Sequence, residues 1–271
     1  MEVAIAAFAA CIGSFLNVCI WRLPREESIV FPASHCTRCR RAIAWHDNIP
    51  VLSFIWLGGK CRRCDARISW RYPLVEALAA VLAVTLYRDF GLTWDWAIMT
   101  CLGFALIVST FVDLSHRIIP DEITKPGIVI GLAASVLIPS LHGTASRWHA
   151  LGASALGAVV GGGVLYVTGL LGDVVFHKES MGGGDVKLLA MAGTVLGWQG
   201  ALLTFFLAPM LAVVPGVVVL ARKGDHTIPY GPFLSLAMVI VIFWGGWIIA
   251  ALRLDESVHL LAALVRGLFG G

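Results

Sequence analysis

The sequence predicts an all-α polytopic membrane protein with about eight transmembrane helices. Of its 271 residues, 58% are hydrophobic and only 14% are charged, whereas soluble domains carry about 25% charged residues. Long apolar segments recur along the chain, and the ten-residue alternation that is typical of membrane β-strands is not found. Because a backbone in lipid must satisfy its hydrogen bonds internally, helices are the expected solution.

The apolar segments divide the chain into four parts. Residues 1–21 lack a basic n-region and a small-residue cleavage site, so we expect a retained first helix and not a removed signal peptide. Residues 22–72 form a polar module, residues 73–251 a seven-helix body, and residues 252–271 an interfacial or frayed tail. The eight predicted segments are 3–21, 73–87, 94–112, 126–141, 150–171, 186–199, 200–221 and 231–251.

The distribution of Lys and Arg predicts that the 22–72 loop is cytoplasmic. This loop holds ten of the chain's 20 Lys and Arg residues. With eight alternating helices, the loops on its side of the membrane hold 16, and those on the other side hold four. Basic residues concentrate in cytoplasmic loops, where anionic lipid accounts for their charge. We therefore expect lipid and not nucleic acid to face this loop.

Four cysteines in the polar module predict a structural zinc site. They form two Cys-x-x-Cys pairs separated by 21 residues, and two such pairs can enclose zinc in a tetrahedron of thiolates. His35 and His46 are rival ligands, but four thiolates already fill the shell and leave no position for a substrate. A module of about forty residues needs such a staple to fold, and a reducing cytoplasm disfavours disulfides. The predicted ligands are Cys36, Cys39, Cys61 and Cys64.

Two aspartates are candidates for acid–base chemistry. Asp113 ends the third apolar segment, and Asp185 begins the sixth after Gly182, Gly183 and Gly184, which allow a substrate to approach closely. Two adjacent carboxyl groups share one proton, so that one polarises a carbonyl while the other activates water. Sequence spacing alone does not prove this pairing.

Other aspartates leave alternatives open. Asp173 and Asp225 also follow a glycine, and Asp121 follows Pro120, where a helix N-cap is the expected role. Asp113 and Asp185 could also be helix-end charges in the headgroup layer, with Arg117 and Lys187 as snorkelling neighbours.

Together these motifs resemble the bacterial type IV prepilin peptidases, which remove leader peptides and methylate N-termini for pilus and type II secretion systems. The resemblance covers nearly the whole chain. The matching stretches are GSFLNVCIWRLP at 13–24, NIPVLSFIWLGGKC at 48–61, RISWRYPLVEALAA at 67–80, DLSHRIIPDEIT at 113–124, MGGGDVKLLAMAGTVLGW at 181–198 and IPYGPFLSLA at 228–237.

The resemblance implies a role for each motif. Asp113 and Asp185 fall on the catalytic pair of a Gly-x-Gly-Asp intramembrane aspartyl protease, and the four cysteines fall on the zinc ligands. The implied substrate is a prepilin or pseudopilin with a basic leader, cut after a glycine at the cytoplasmic face of the inner membrane. The implied second activity methylates the new N-terminus with S-adenosylmethionine. One departure is Thr37, where many relatives have proline.

The methyltransferase site is less well defined by the sequence. No Gly-x-Gly-x-x-Gly βαβ unit occurs, and the glycines at 161–163 suit close helix packing. The cofactor site must therefore use membrane helices and the zinc loop, and the candidates are Asn17, Arg22 and Glu76. Glu76 could instead pair with Arg71 or Arg22.

The sequence leaves three other functions open. A monofunctional prepilin peptidase would lack methylation, although monofunctional relatives usually lack the large zinc loop. A proton-coupled transporter would use Asp113 and Asp185 as relay groups, and a zinc-bearing scaffold would do no chemistry.

Overall fold

A computed structural model describes residues 1–177, 181–220 and 229–251 of the chain. Within these ranges the protein is helical, and its β-structure is limited to two isolated bridges, His35 with Ala42 and Lys60 with Arg67. The predicted all-α class is thus confirmed. The predicted tail at 252–271 lies outside the described residues. The helices are α1 (Glu2–Arg22), α2 (Leu52–Trp56), α3 (Arg71–Phe90), α4 (Trp94–His116), α5 (Asp121–Leu137), α6 (Arg147–Phe176), α7 (Gly183–Leu220) and α8 (Gly231–Ala251).

Five helical stretches of the described residues are long and apolar enough to cross a membrane, which supports a multi-pass protein. Two further helices complete the bundle: α3 packs against α1 and α4, and α5 packs against α6 and α7. By length and composition, the predicted count of about eight is therefore met only in part. The five stretches are Glu2–Arg25, Trp94–His116, Arg147–Val175, Gly183–Val217 and Gly231–Ala251.

Helix α7 folds back on itself at Gly197. That residue has φ 70° and ψ 176°, which interrupts the helix and suits glycine because it has no Cβ. A methyl group on Gly161 would lie 2.7 Å from the Leu189 carbonyl oxygen and 3.3 Å from the Ala201 Cβ atom. In a straight helix, twelve residues would separate Leu189 from Ala201 by about 18 Å. The predicted segments 186–199 and 200–221 are therefore the two antiparallel arms of one element.

Glycines allow the α7 arms to pack closely against α6. A methyl group on Gly157 would overlap the carbonyl oxygen of Gly193 and lie 2.9 Å from the carbonyl carbon of Gly197. A methyl group on Gly163, in the same helix, would meet no atom within 4 Å. Gly157 and Gly161 are thus at a close helix crossing, as predicted for Gly161, whereas Gly163 faces open space.

The two ends of the bundle carry different polar groups. At one end, Arg88 pairs with Glu2 at 2.8 Å. Helices α3 and α4 are antiparallel neighbours joined by a short turn, so the start of α3 and the end of α4 share the opposite end. Residues 22–72, the predicted zinc-binding module and hereafter the zinc module, join the end of α1 to the start of α3. The module therefore lies at the same end as Asp113 on α4.

We predict that Gly157→Ala destabilises the bundle, because the added methyl group has no room beside Gly193. Overpacking of this kind costs about 2 kcal/mol. The measurement is equilibrium unfolding in mixed detergent micelles. Gly163→Ala is the matched control, and it should stay within about 1 kcal/mol of the parent. Equal stability of the two variants would contradict the close crossing.

Candidate active site

The structure brings Asp113 and Asp185 to one cavity of about 380 Å³. Asp113 lies in the last turn of α4, and Asp185 lies in the first turn of α7. Gly182, Gly183 and Gly184 line the same cavity. Asp113 is only 6% exposed, although it lies close to a helix end. Two carboxyl groups that are 72 positions apart in sequence therefore share one pocket.

A third helix contacts Asp113 directly. The backbone N–H of Gly231, the first residue of α8, donates a buried hydrogen bond of 2.9 Å to the Asp113 Oδ2 atom. The first amides of a helix have no partner within the helix, so α8 offers a free donor at this point. A methyl group on Gly231 would lie 2.8 Å from Oδ2. Sequence reasoning did not identify Gly231, although the Gly-Pro pair that opens α8 was a usable signal.

Asp185 differs from Asp113 in its hydrogen bonding. Its Oδ1 atom is buried and has no hydrogen-bond partner among the described residues. A methyl group on Gly184 would lie 2.9 Å from the Ile119 Cβ atom, so the glycine run lets α7 begin in close contact with the segment after α4. A buried polar atom without a partner is rare in native proteins. This oxygen is therefore available to a water molecule or a substrate.

Asp121 and Lys187 form an ion pair at the edge of the cavity. Lys187 Nζ donates to Asp121 Oδ1 at 2.6 Å, and Lys125 Nζ lies 2.7 Å from Oδ2. The hydrogen bonds from Lys125 and Lys187 lower the pKa of Asp121, which therefore stays anionic. The predicted N-cap role is wrong, because Pro120 occupies that position and Asp121 is already the first residue of α5.

The competing aspartates are not placed in this cavity. Asp173 lies in the last turns of α6 and does not line the pocket, and Asp225 lies outside the described residues. Arg117 lines the cavity together with Lys187. Both cations therefore lie beside the two carboxyl groups.

The four predicted zinc ligands converge. The sulfur atoms of Cys36, Cys39, Cys61 and Cys64 all lie within 4.8 Å of one another. The Cys36 and Cys64 sulfurs are 3.8 Å apart, and sulfurs bound to one zinc at 2.3 Å in a tetrahedron are also separated by about 3.8 Å. The donor set thus fits zinc. Neither His35 nor His46 belongs to this cluster.

The two Cys-x-x-Cys turns have the same backbone geometry. Arg40 N–H donates to the Cys36 carbonyl at 2.8 Å, and Asp65 N–H donates to the Cys61 carbonyl at 3.0 Å. Arg40 and Asp65 both have positive φ, 56° and 52°. Within the cluster, the Cys39 backbone N–H lowers the pKa of Cys36 to about 6, whereas burial and the three neighbouring sulfurs raise the pKa of Cys64 to about 11. The hydrogen bond from Arg40 to Cys36 closes the first turn with threonine, and not proline, at position 37.

A second cavity, of about 660 Å³, lies between the zinc module and the ends of α1 and α3. All three predicted cofactor residues, Asn17, Arg22 and Glu76, line it. Each is at least nine-tenths buried, with 1%, 6% and 7% of its surface exposed. Arg71 also lines this cavity, and sequence reasoning named it only as a possible partner of Glu76.

The polar groups around this second cavity are only partly satisfied. The Glu76 carboxylate accepts a 2.7 Å hydrogen bond from the Val51 N–H, whereas Arg22 donates to the carbonyls of Ser28 and Pro32. Among the described residues, the Asn17 Oδ1 and Arg71 Nε atoms are buried without a partner. One acceptor and one donor thus remain available to a polar ligand.

Comparison with known proteins assigns both halves of the chain. Residues 7–90 match the bacterial peptidase A24 N-terminal domain, and residues 99–217 match the type IV leader peptidase family. The first match spans the zinc module and the second cavity, and the second spans both aspartates. No solved structure matches the chain.

Curated proteins match along most of the chain. A prepilin leader peptidase/N-methyltransferase of Aeromonas salmonicida is 34% identical over 266 residues, covering 88% of this chain and 89% of that protein. One of the same name from Pseudomonas putida is 35% identical, covering 89% of each. A type 4 prepilin-like proteins leader peptide-processing enzyme of Escherichia coli is 36% identical, covering 86% and 90%. With these matches over both cavities, the chain belongs to the type IV leader peptidase family.

Proposed function

We propose that the protein is a membrane aspartyl endopeptidase that removes the basic leader of type IV prepilins or pseudopilins after a glycine. We further propose that it N-methylates the new N-terminus with S-adenosylmethionine. The observation that carries the first proposal is the shared cavity of Asp113 and Asp185, with one buried carboxylate oxygen left unpartnered. The names of the relatives support both activities.

The peptidase reaction needs only the two carboxyl groups and water. The anionic carboxyl takes a proton from a water molecule, whose oxygen attacks the scissile carbonyl carbon. The protonated carboxyl donates a hydrogen bond to the carbonyl oxygen and stabilises the charge that develops there. Return of a proton to the amide nitrogen breaks the C–N bond. An added methyl group on Gly183 would meet nothing within 4 Å, so this glycine leaves room for the substrate backbone beside Asp185, whereas Gly184 packs on Ile119.

The position of the cavity suits a membrane-embedded substrate. A prepilin helix lies in the bilayer while its basic leader stays in the cytoplasm, so the scissile bond reaches the lipid–water boundary. Asp113 and Asp185 both lie at helix ends, where water is available. We therefore place the zinc module and both cavities on the cytoplasmic side of the inner membrane.

The second cavity suits the methyl donor. S-adenosylmethionine supplies an electrophilic methyl group on a cationic sulfur, together with a carboxylate and an ammonium group. The Glu76 carboxylate and the Asn17 Oδ1 atom can hold the cationic groups, and Arg22 and Arg71 can hold the carboxylate. The buried Asn17 Oδ1 and Arg71 Nε atoms have no partner among the described residues, so they can bind the polar groups of this donor. The family's N-terminal domain contains all four residues.

The zinc ion has a structural role in this proposal. Four thiolates saturate its shell, so no open position remains for catalysis. Metal binding holds the two Cys-x-x-Cys turns together as the outer wall of the second cavity, to which Cys36, Cys39 and Cys61 contribute. The 22–72 module is therefore expected to fold only with its metal.

The other functions are less well supported. A proton relay needs carboxyl groups near the bilayer midplane, whereas Asp113 and Asp185 lie at helix ends. A monofunctional peptidase would not need the large cavity beside the zinc module.

The decisive experiment incubates the purified full-length protein with a synthetic prepilin and a labelled methyl donor, followed by mass spectrometry. Cleavage without labelling would support the peptidase activity alone. Absence of both cleavage and labelling would reject the proposal.

We predict that Asp113→Asn and Asp185→Asn each lower leader removal by at least about 100-fold, because either change removes the acid–base pair. Prepilin cleavage by the purified variants is the measurement. Asp173→Asn is the matched control and should keep near-parental activity. Full activity of either active-site variant would reject that residue.

We predict that Gly231→Ala lowers the kcat of leader removal by about 10-fold or more, since a displaced carboxylate loses orientation. The methyl group would lie 2.8 Å from Asp113 Oδ2 and push it from its amide donor. Gly246→Ala in the same helix, where an added methyl group meets nothing within 4 Å, is the control. Equal rates in the two variants would show that α8 does not position Asp113.

We predict that the parent protein holds about one zinc per chain and that Cys36→Ser loses most of it, because a hydroxyl is a poor replacement for a thiolate ligand. Elemental analysis of purified protein measures the metal directly. Cys101→Ser, on the exposed side of α4, should keep its zinc. Unchanged zinc in Cys36→Ser would contradict the tetrathiolate site.

A further inference from the structure

We propose that the outward face of α2 is a lipid-binding surface that holds the zinc module down on the bilayer. This face consists of Leu52, Ile55 and Trp56, and we call it the α2 face. The proposal concerns the attachment of the module to the membrane and is independent of the chemistry of either cavity. Its occupant is the boundary between lipid headgroups and acyl chains.

The α2 face is apolar and strongly exposed. Leu52, Ile55 and Trp56 expose 62%, 68% and 84% of their surface, and their spacing of three and four residues places them on one side of the helix. The other side of α2 is anchored in the module. Ser53 donates to the His46 carbonyl at 2.9 Å, and the Phe54 ring lies 4.7 Å from that of Trp70.

A hydrogen bond ties the start of α2 to α3. The Val51 N–H, directly before α2, donates to the Glu76 carboxylate at 2.7 Å. Glu76 lies five residues after Arg71, the start of α3, which corresponds to about 7.5 Å along the helix axis. The start of α2 therefore lies within one side-chain length of the second turn of α3. With the start of α3 placed at the membrane surface, α2 lies within the depth of about 5–10 Å to which interfacial helices bury their apolar face.

A second exposed apolar surface lies on the membrane helices. Trp70, Leu74 and Leu78 follow one side of α3 at four-residue spacing and expose 76%, 50% and 40% of their surface. At the end of α1, the Arg25 guanidinium stacks 3.8 Å above the Trp21 ring. Tryptophan and arginine at helix ends are typical of the membrane interface. Residues typical of the membrane interface thus lie where the module joins α1 and α3.

The charge of the module favours lipid over a protein partner. Residues 22–72 carry ten Lys and Arg but only four Asp and Glu. Basic residues beside an apolar face bind anionic lipid headgroups while the apolar side chains enter the acyl region. The exposed cations Lys60 and Arg63 follow α2 closely in sequence, whereas Arg62 is paired with Asp47. An apolar face with flanking basic residues fits an anionic bilayer.

The test places a photoreactive benzophenone side chain at position 55 or 56 of the full-length protein in nanodiscs containing anionic phospholipid. The matched control places it at Arg38, which is exposed. Arg38 lies in the first Cys-x-x-Cys turn, on the side of the second cavity that is away from the ends of α1 and α3. After illumination, mass spectrometry should find at least about ten-fold more lipid adduct at 55 and 56 than at 38. Retained zinc confirms that each variant is folded.

Two results would overturn the proposal. Equal lipid adduct at all three positions would remove the specific contact, and crosslinks from 55 and 56 to a second chain would identify that face as a protein interface. An independent measurement needs no photoreactive group. Ile55→Ser/Trp56→Ser should raise the rate of trypsin cleavage within 22–72 about five-fold in nanodiscs, because the module loses its lipid anchor. An unchanged rate would also overturn the proposal.

Discussion

The hydrogen bond from the Gly231 amide to the Asp113 carboxylate is the contact on which the candidate active site depends. It joins residues 118 positions apart and gives a buried carboxyl group one of the hydrogen-bond partners that burial makes necessary. Helix α4, which carries Asp113, contributes Val112 to the apolar cluster shared with α1 and α3, and Leu106 to the cluster shared with α7 and α8. The carboxylate therefore lies where the two parts of the bundle meet.

Close glycine packing places the second carboxylate. Because α7 reverses at Gly197 and its arms pack on α6 through Gly157 and Gly161, the start of α7 is held beside the end of α4. Asp185 then enters the cavity from a helix that has little freedom to shift. The glycines thus allow the backbones of α6 and α7 to pack closely in the bundle, and they leave space for a substrate at the cavity.

Features encoded within a few residues could be predicted from the sequence. The cysteine pairs, the aspartate with its glycine run, and the all-helical class all depend on local spacing or on composition. Gly231 as a donor, Val51 as the partner of Glu76, and the fold-back at Gly197 depend on contacts between distant segments, which spacing does not reveal. The N-cap assignment of Asp121 was wrong by one position, since Pro120 shifts the helix start and frees the carboxylate to bind Lys125 and Lys187.

Both cavities open at the same end of the bundle, one beside the start of α3 and the other beside the end of α4. On the proposed function, a trimmed pilin keeps its hydrophobic helix in the membrane after the first reaction. Its new N-terminal amine then reaches the second cavity by lateral diffusion in the membrane and not through bulk solution. Confinement raises its effective concentration, so a single encounter can yield a doubly processed product without any tunnel between the sites.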